Sequence, residues 1–274
     1  AGVLLKMGTY GFLRFAMPLF PHASHEIGPT IALLAIVGII FGSLVAWMQK
    51  DVKKLVAYSS VAHLGFCMLG LFALENRAVA GSVYQMLNHG VSTGMLFLLV
   101  GVIYERRHTR LISEFGGLAK VMPAYATLFV IVTLSSVGLP TTNGFVGEFL
   151  ILWGTFKSQV LPHARYMAMF AATGVILGAV YMLSVVLRVF FGSLKNPRNR
   201  DLQDLTAREW LYLLPGIVLI FVMGLFPTPF LTRIEPSVEL MRMDYLNKAN
   251  RALTIQEPTL DEPLSYLMSP DNRI

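Results

Sequence analysis

The sequence predicts an all-α polytopic membrane protein: a bundle of about seven transmembrane helices, one of them broken near Pro140 to Asn143. Three observations carry this. Of 274 residues, 55% are hydrophobic and only 14% charged, too apolar and too evenly so for an ordinary soluble domain. Apolar runs of spanning length recur along the chain, and the short segments between them hold most of the charge. Ten-residue segments alternating apolar and polar, the mark of a membrane β-barrel, are absent from the sequence.

The runs fall at about 1–20, 29–49, 54–74, 78–104, 121–159, 166–191 and 209–230. Assigning the connecting segments alternately to two sides gives one side Lys50, Lys53, Lys54, Arg106, Arg107, Arg110, Lys120, Arg188, Lys195, Arg198, Arg200 and Arg208. The other side's internal loops hold only Arg77, Lys157 and Arg165. Positive charge accumulates on the side where synthesis occurs, so the first group is expected in the cytoplasm or matrix. The excess of 22 Lys and Arg over 16 Asp and Glu is thereby explained by topology, and a nucleic-acid partner is not expected. After about residue 230 the chain turns polar, and 231–274 reads as a tail on the non-cytoplasmic side, extended or in short helices against partner subunits, or disordered. A single Cys67 excludes an intrachain disulfide and any CxxC cluster. The chain opens inside an apolar run at Ala1, and a preceding segment is expected.

The fifth run is longer than one crossing requires, and it is interrupted. Gly138-Leu139-Pro140-Thr141-Thr142-Asn143-Gly144 combines a proline, which removes an amide donor and clashes with the preceding turn, with glycines and an Asn suited to loop and N-cap positions. Two half-helices should meet there. Irregular backbone at membrane depth persists only where protein or a wet cavity surrounds it, and Glu148 lies one turn beyond. Glu148 reads either as a counter-ion to a basic residue on a neighbouring helix or as a titrating carboxylate.

Other polar residues sit inside runs. Lys6 either snorkels to an interface or lies buried at mid-depth, where desolvation would make it a proton carrier. His63 follows Ser59 and Ser60 in the third run; His89 shares a helical face with Gln85, Ser92 and Thr93 in the fourth. Each stripe serves equally as interhelical hydrogen-bond glue or as part of a proton relay. Neither histidine has a companion at metal-ligand spacing, and no phosphate-binding glycine loop or nucleophile elbow is present, so no metal or cofactor is expected in this chain.

Four stretches taken together, GVLLKMGTYG at 2–11, DVKKLVAYSSVAHLG at 51–65, Asn88-His89-Gly90 and NGFVGEF at 143–149, resemble the antiporter-like membrane subunits of respiratory complex I. They are most similar to the M type, the fourth mitochondrial membrane subunit, because an acid rather than a lysine ends the broken helix. The resemblance covers about residues 1–235. It implies the second of two inverted repeats plus closing helices, with the first half absent, separate or contributed by another chain. It also implies Lys6, His63, His89 and Glu148 as a proton relay, passed in that order, coupled to quinone reduction elsewhere in NADH:quinone oxidoreductase. Flavin, iron–sulfur clusters and quinone would then belong to partner subunits. L-type and N-type subunits would be neighbours, in a bacterial plasma membrane or, less favoured, a mitochondrial inner membrane. A multisubunit Na+/H+ antiporter or a membrane-bound hydrogenase shares these motifs and stands as the alternative.

Overall fold

A computed structural model of the chain describes residues 2–194 and 196–256, with side chains to residue 249. Among these residues the fold is helical, with one isolated bridge between Asp51 and Leu111. Five helices are long and apolar enough to cross a membrane: α3 (Pro21–Trp47), α4 (Val52–Ala73), α5 (Asn76–Arg107), α8 (Ala164–Phe190) and α9 (Ala207–Leu225). The fifth apolar run forms two helices in series, α6 (Pro123–Val137) and α7 (Asn143–Lys157), separated at the predicted break. The first run is less regular than expected: α1 (Lys6–Gly11) passes through a π-helical turn at Phe12–Ala16 into α2 (Met17–Leu19).

Local chemistry sets these ends. Asp51 caps α4, its side chain accepting from the Lys54 amide at 3.0 Å. Leu74 in the left-handed region ends that helix, and Glu75 immediately caps α5 by accepting from the Arg77 and Ala78 amides. Asp204 reaches across from a distant loop to cap α6 at Ala124 and Tyr125. A capping box of Thr206 and Glu209 starts α9. Gly138, with φ +80°, closes α6, as glycine readily does.

Two apolar clusters hold the bundle. One gathers Leu55, Leu99, Tyr125, Phe129, Phe190 and Leu213; the other gathers Ile39, Phe66, Phe72, Met86, Ile151 and Tyr245. Along α4 and α5 alike, the residues between the two clusters are polar: Ser59, Ser60 and His63 on one, Asn88, His89, Ser92 and Thr93 on the other. The polar layer is thus enclosed between two dry ones. Outward faces remain apolar, as at Leu33, Leu34, Phe41, Ile176 and Leu211. Since lipid tails are as apolar as these side chains, helix association in a bilayer rests on close packing. At Gly65 a Cβ would lie 2.7 Å from the Ala35 carbonyl oxygen and 2.8 Å from Ile39 on α3. Gly65→Ala is expected to destabilise the bundle by about 1–3 kcal/mol through overpacking, read as a lowered thermal midpoint of the detergent-solubilised protein.

The region after 230 departs from the expectation of an extended or short-helical tail. α10 (Thr228–Gln256) is one helix of 29 residues, containing Pro236. Val238, Tyr245 and Ala249 are buried along one side, with Met241 and Leu246 packed against the same cluster, a spacing of three and four residues that makes a single apolar stripe. Arg242 Nε donates to the Leu74 carbonyl, so α10 also supplies a partner for the end of α4. The leucines at 260, 264 and 267, scattered along the polar tail in the sequence, lie outside the described residues.

Candidate functional site

The four titratable residues picked out in the sequence meet in the polar layer, all of them buried: Lys6, His63, His89 and Glu148 are 8%, 6%, 3% and 4% exposed. Lys6 opens α1, and its side chain turns inward to hydrogen-bond His89 Nδ1 on α5. The snorkelling reading of Lys6 is therefore set aside. The start of the chain packs closely on α5: a Cβ on Gly2 would lie 3.2 Å from the Gly90 carbonyl, and the Thr9 hydroxyl is 3.2 Å from the Met86 sulfur. The His89 and His63 rings lie 5.1 Å apart between centroids, tilted by 58°. His63 Nδ1 on α4 is 3.0 Å from Glu148 Oε1 on α7, and its Nε2 is 3.4 Å from the Ser136 hydroxyl on α6.

The contacts therefore run Lys6, His89, His63, Glu148, so the two histidines stand in the reverse of the order expected from the sequence. The reason is packing. α1 lies against the face of α5 that carries His89, while His63 on α4 points at the junction of α6 and α7.

Glu148 accepts a second hydrogen bond, from Gln85 Nε2 at 3.2 Å. Its other oxygen lies beside Gly138, where a Cβ would be only 3.0 Å from Oε2. The acid of α7 thus touches the last turn of α6 across the break. Among the described residues no Lys or Arg pairs with it, and its one basic neighbour is His63 on α4, which would serve as a counter-ion only when protonated.

A neutral scaffold surrounds the charged line. Thr142, not Asn143, occupies the N-cap of α7, and it provides no side-chain cap. Asn143 instead enters the layer: its Oδ1 accepts from Ser135 at 2.6 Å and Ser92 at 3.2 Å, and its Nδ2 donates to the Asn88 carbonyl. Asn88 Nδ2 in turn donates to the Asn143 carbonyl at 2.7 Å and to Gln85 Oε1 at 3.3 Å. These reciprocal amide bonds tie the start of α7 to α5. The stripe of Gln85, His89, Ser92 and Thr93 was legible as one helical face. The pairing of Asn88 with Asn143 was not, because a spacing of 55 residues carries no periodic signal.

Three buried polar atoms have no protein partner here: His89 Nε2, Thr93 Oγ1 and Asn88 Oδ1. All three residues line one small cavity together with His63 and Ser136. Its volume of about 10 Å3 is close to the least that admits one water. Among the described residues no group of His, Cys, Asp and Glu is arranged to hold a metal ion.

Residues 1–178 match the family described as the transmembrane region of NADH:quinone oxidoreductase and the Mrp antiporter. The chain is 46% identical over 239 residues to NADH-quinone oxidoreductase subunit M of Rickettsia prowazekii, covering 87% of this chain and 48% of that protein. It is 45% identical over 238 residues to NADH-ubiquinone oxidoreductase chain 4 of Marchantia polymorpha, covering 87% of this chain and 47% of that one. Respiratory complex I from Thermus thermophilus contains a chain of the same fold, with TM-score 0.82 and 34% identity over 88% of this chain and 50% of that chain. This chain spans about half the length of the curated relatives it matches. It is a multi-pass membrane protein that belongs to the NADH:quinone oxidoreductase/Mrp antiporter membrane family, within which its relatives are M-type subunits.

Proposed function

We propose that this chain carries protons as part of an antiporter-like membrane subunit of NADH:quinone oxidoreductase, coupled to quinone reduction in other subunits. The observation that carries the reading is the row of four buried titratable side chains, Lys6 bonded to His89 and His63 to Glu148 with the two rings in contact, ending at the break between α6 and α7. Flavin, iron–sulfur clusters and quinone would sit in partner subunits, and L-type and N-type subunits would flank it.

The tautomers follow from donor and acceptor rules. A Lys6 ammonium can only donate, so His89 accepts at Nδ1 and carries its proton on Nε2, facing the cavity. An ionised Glu148 can only accept, so His63 carries its proton on Nδ1 and accepts from Ser136 at Nε2. When Lys6 releases a proton to His89 Nδ1, the imidazolium gives up its Nε2 proton into the cavity. His63 takes a proton at Nε2 and passes its Nδ1 proton to Glu148. Each ring ends with its proton on the opposite nitrogen and must be reset before the next passage. One water in the cavity would join the two rings, whose tilted contact has no N–H···N bond of its own.

Electrostatics supplies the drive. A change of charge on a neighbouring subunit that shifts Lys6 by one pKa unit corresponds to about 1.4 kcal/mol, a modest demand in a low-dielectric interior. In the assembled complex reconstituted in vesicles, Lys6→Ala is expected to suppress NADH-driven proton uptake and slow quinone reduction with assembly intact. Wild-type uptake in that variant would sink the relay. Thr93→Val keeps the side-chain shape and deletes a cavity-facing hydroxyl. It is expected to slow uptake roughly tenfold, the worth of one lost hydrogen bond, when initial rates are compared at equal complex content.

A further inference from the structure

The face of the bundle opposite the arginine-rich loops holds few cations, yet they are not scattered. Of Arg77, Lys157 and Arg165, the three basic residues of its internal loops, the first two line a single cleft of about 550 Å3 together with Arg242 of α10. Among the described residues none of Arg77, Lys157 and Arg242 is in an ion pair. Glu75 is the one carboxylate of the cleft, and one of its oxygens is engaged in capping α5. Three cations against one carboxylate leave the cleft with a net positive charge.

Its remaining wall is mostly apolar, from Leu74, Trp153, Val160 and Leu246. Trp153 lines the cleft, with the Lys157 ammonium 5.2 Å from its ring centroid. From Trp153 a ladder of rings runs toward the middle of the bundle along the outside of α7. Trp153 stacks on Phe149 at 6.3 Å, and Phe149 on Phe145 at 5.5 Å. Phe149 is 50% exposed and Trp153 41%. Lys157 and Arg77 stand at helix ends, where spans meet the headgroup layer, and tryptophan belongs at that depth.

We propose that this cleft binds the phosphate headgroup of an anionic phospholipid, with an acyl chain laid along Phe145, Phe149 and Trp153. The joining of a cationic cleft to an apolar ladder matches an amphiphile, whereas a free phosphate would use only the first. Arg supplies planar, bidentate phosphate recognition and Lys a mobile point charge. Cations on this side of a membrane protein run against the usual distribution of charge, and a bound anion accounts for their concentration at one place.

The test uses the full-length subunit in its native assembly, placed in phosphatidylcholine nanodiscs that contain a trace of phosphatidylglycerol bearing a photoreactive acyl chain. Labelling is mapped by peptide. The phosphatidylglycerol probe is expected to label the peptide containing Phe149 and Trp153 far more than a phosphatidylcholine probe does. Arg77→Gln with Lys157→Gln should cut that labelling roughly twenty-five-fold, at about fivefold per cation. The charge-keeping pair Arg77→Lys with Lys157→Arg should retain it, and labelling of the outer face of α3 at Leu33 and Leu34 should not change. Equal labelling by the two probes overturns the proposal, as does labelling insensitive to the Gln pair. Displacement by excess inorganic phosphate would also overturn it, by showing a free-anion site. If the Gln pair fails to assemble, the comparison of the two probes on the wild-type protein decides.

Discussion

Exchange of Glu148 for Gln is expected to lower NADH-driven proton uptake about a hundredfold, the low end of what a positioned acid–base group contributes. The fold should barely respond. Gln has the shape of Glu, and its amide oxygen can accept from both His63 Nδ1 and Gln85 Nε2, which now donate to Oε1. What it cannot do is take a proton from His63 and release it toward Gly138. Glu148→Leu gives the contrast. It leaves two buried donors without an acceptor, at about 1–3 kcal/mol each, so that variant should lose thermal stability as well as flux. Loss of flux in both variants with loss of stability only in the second would separate a proton-carrying role from a packing role. Normal uptake with Gln at position 148 would remove Glu148 from the path.

The second large effect is on stability, at the end of the bundle that carries the arginine-rich loops. Arg106 makes two short bonds to the Glu209 carboxylate, 2.6 and 2.7 Å, and donates as well to the carbonyls of Gln203, Asp204 and Val102. Both side chains are mostly buried. One guanidinium thereby fastens the loop before α9 to the last turn of α5, and Asp204 on the same loop caps α6. Arg106→Ala strands Glu209 and frees that loop, and a cost of about 3–5 kcal/mol is expected for breaking such a pair from one side. Thermal unfolding of the purified protein measures it. Exchanging the two charges, with Arg106→Glu and Glu209→Arg together, should recover little, because a carboxylate at 106 would face three carbonyl oxygens. Full recovery would mean that the pair acts through charge alone.

How far the sequence reached depended on whether the signal was local. The broken helix was legible because proline, glycine and asparagine act on their own backbone, and the break falls between Val137 and Asn143 as those residues require. The spans were legible because bilayer thickness fixes their length. α10 was misread because its polar positions drew attention away from the stripe of Val238, Met241, Tyr245 and Ala249, whose spacing was present all along. Asn143 was placed at the N-cap by its residue type, but three partners on α5 and α6 outbid that local preference. The lipid-facing and bundle-facing sides of α3 and α8 could not be told apart by composition, since in a bilayer both sides are apolar.

By itself the sequence determined that the chain crosses a membrane several times, where one crossing breaks, and which titratable residues lie inside apolar runs, where burial is costly. It did so because burying a charge, removing an amide donor and spanning a fixed thickness are constraints each residue meets alone. Only the tertiary structure decided that Lys6 meets His89 and Glu148 meets His63, that Asn88 and Asn143 brace the break, and that three cations of different helices share one cleft. Those are pairings across 55 to 165 residues of chain, and helix periodicity says which face a residue occupies but not which helix it will face.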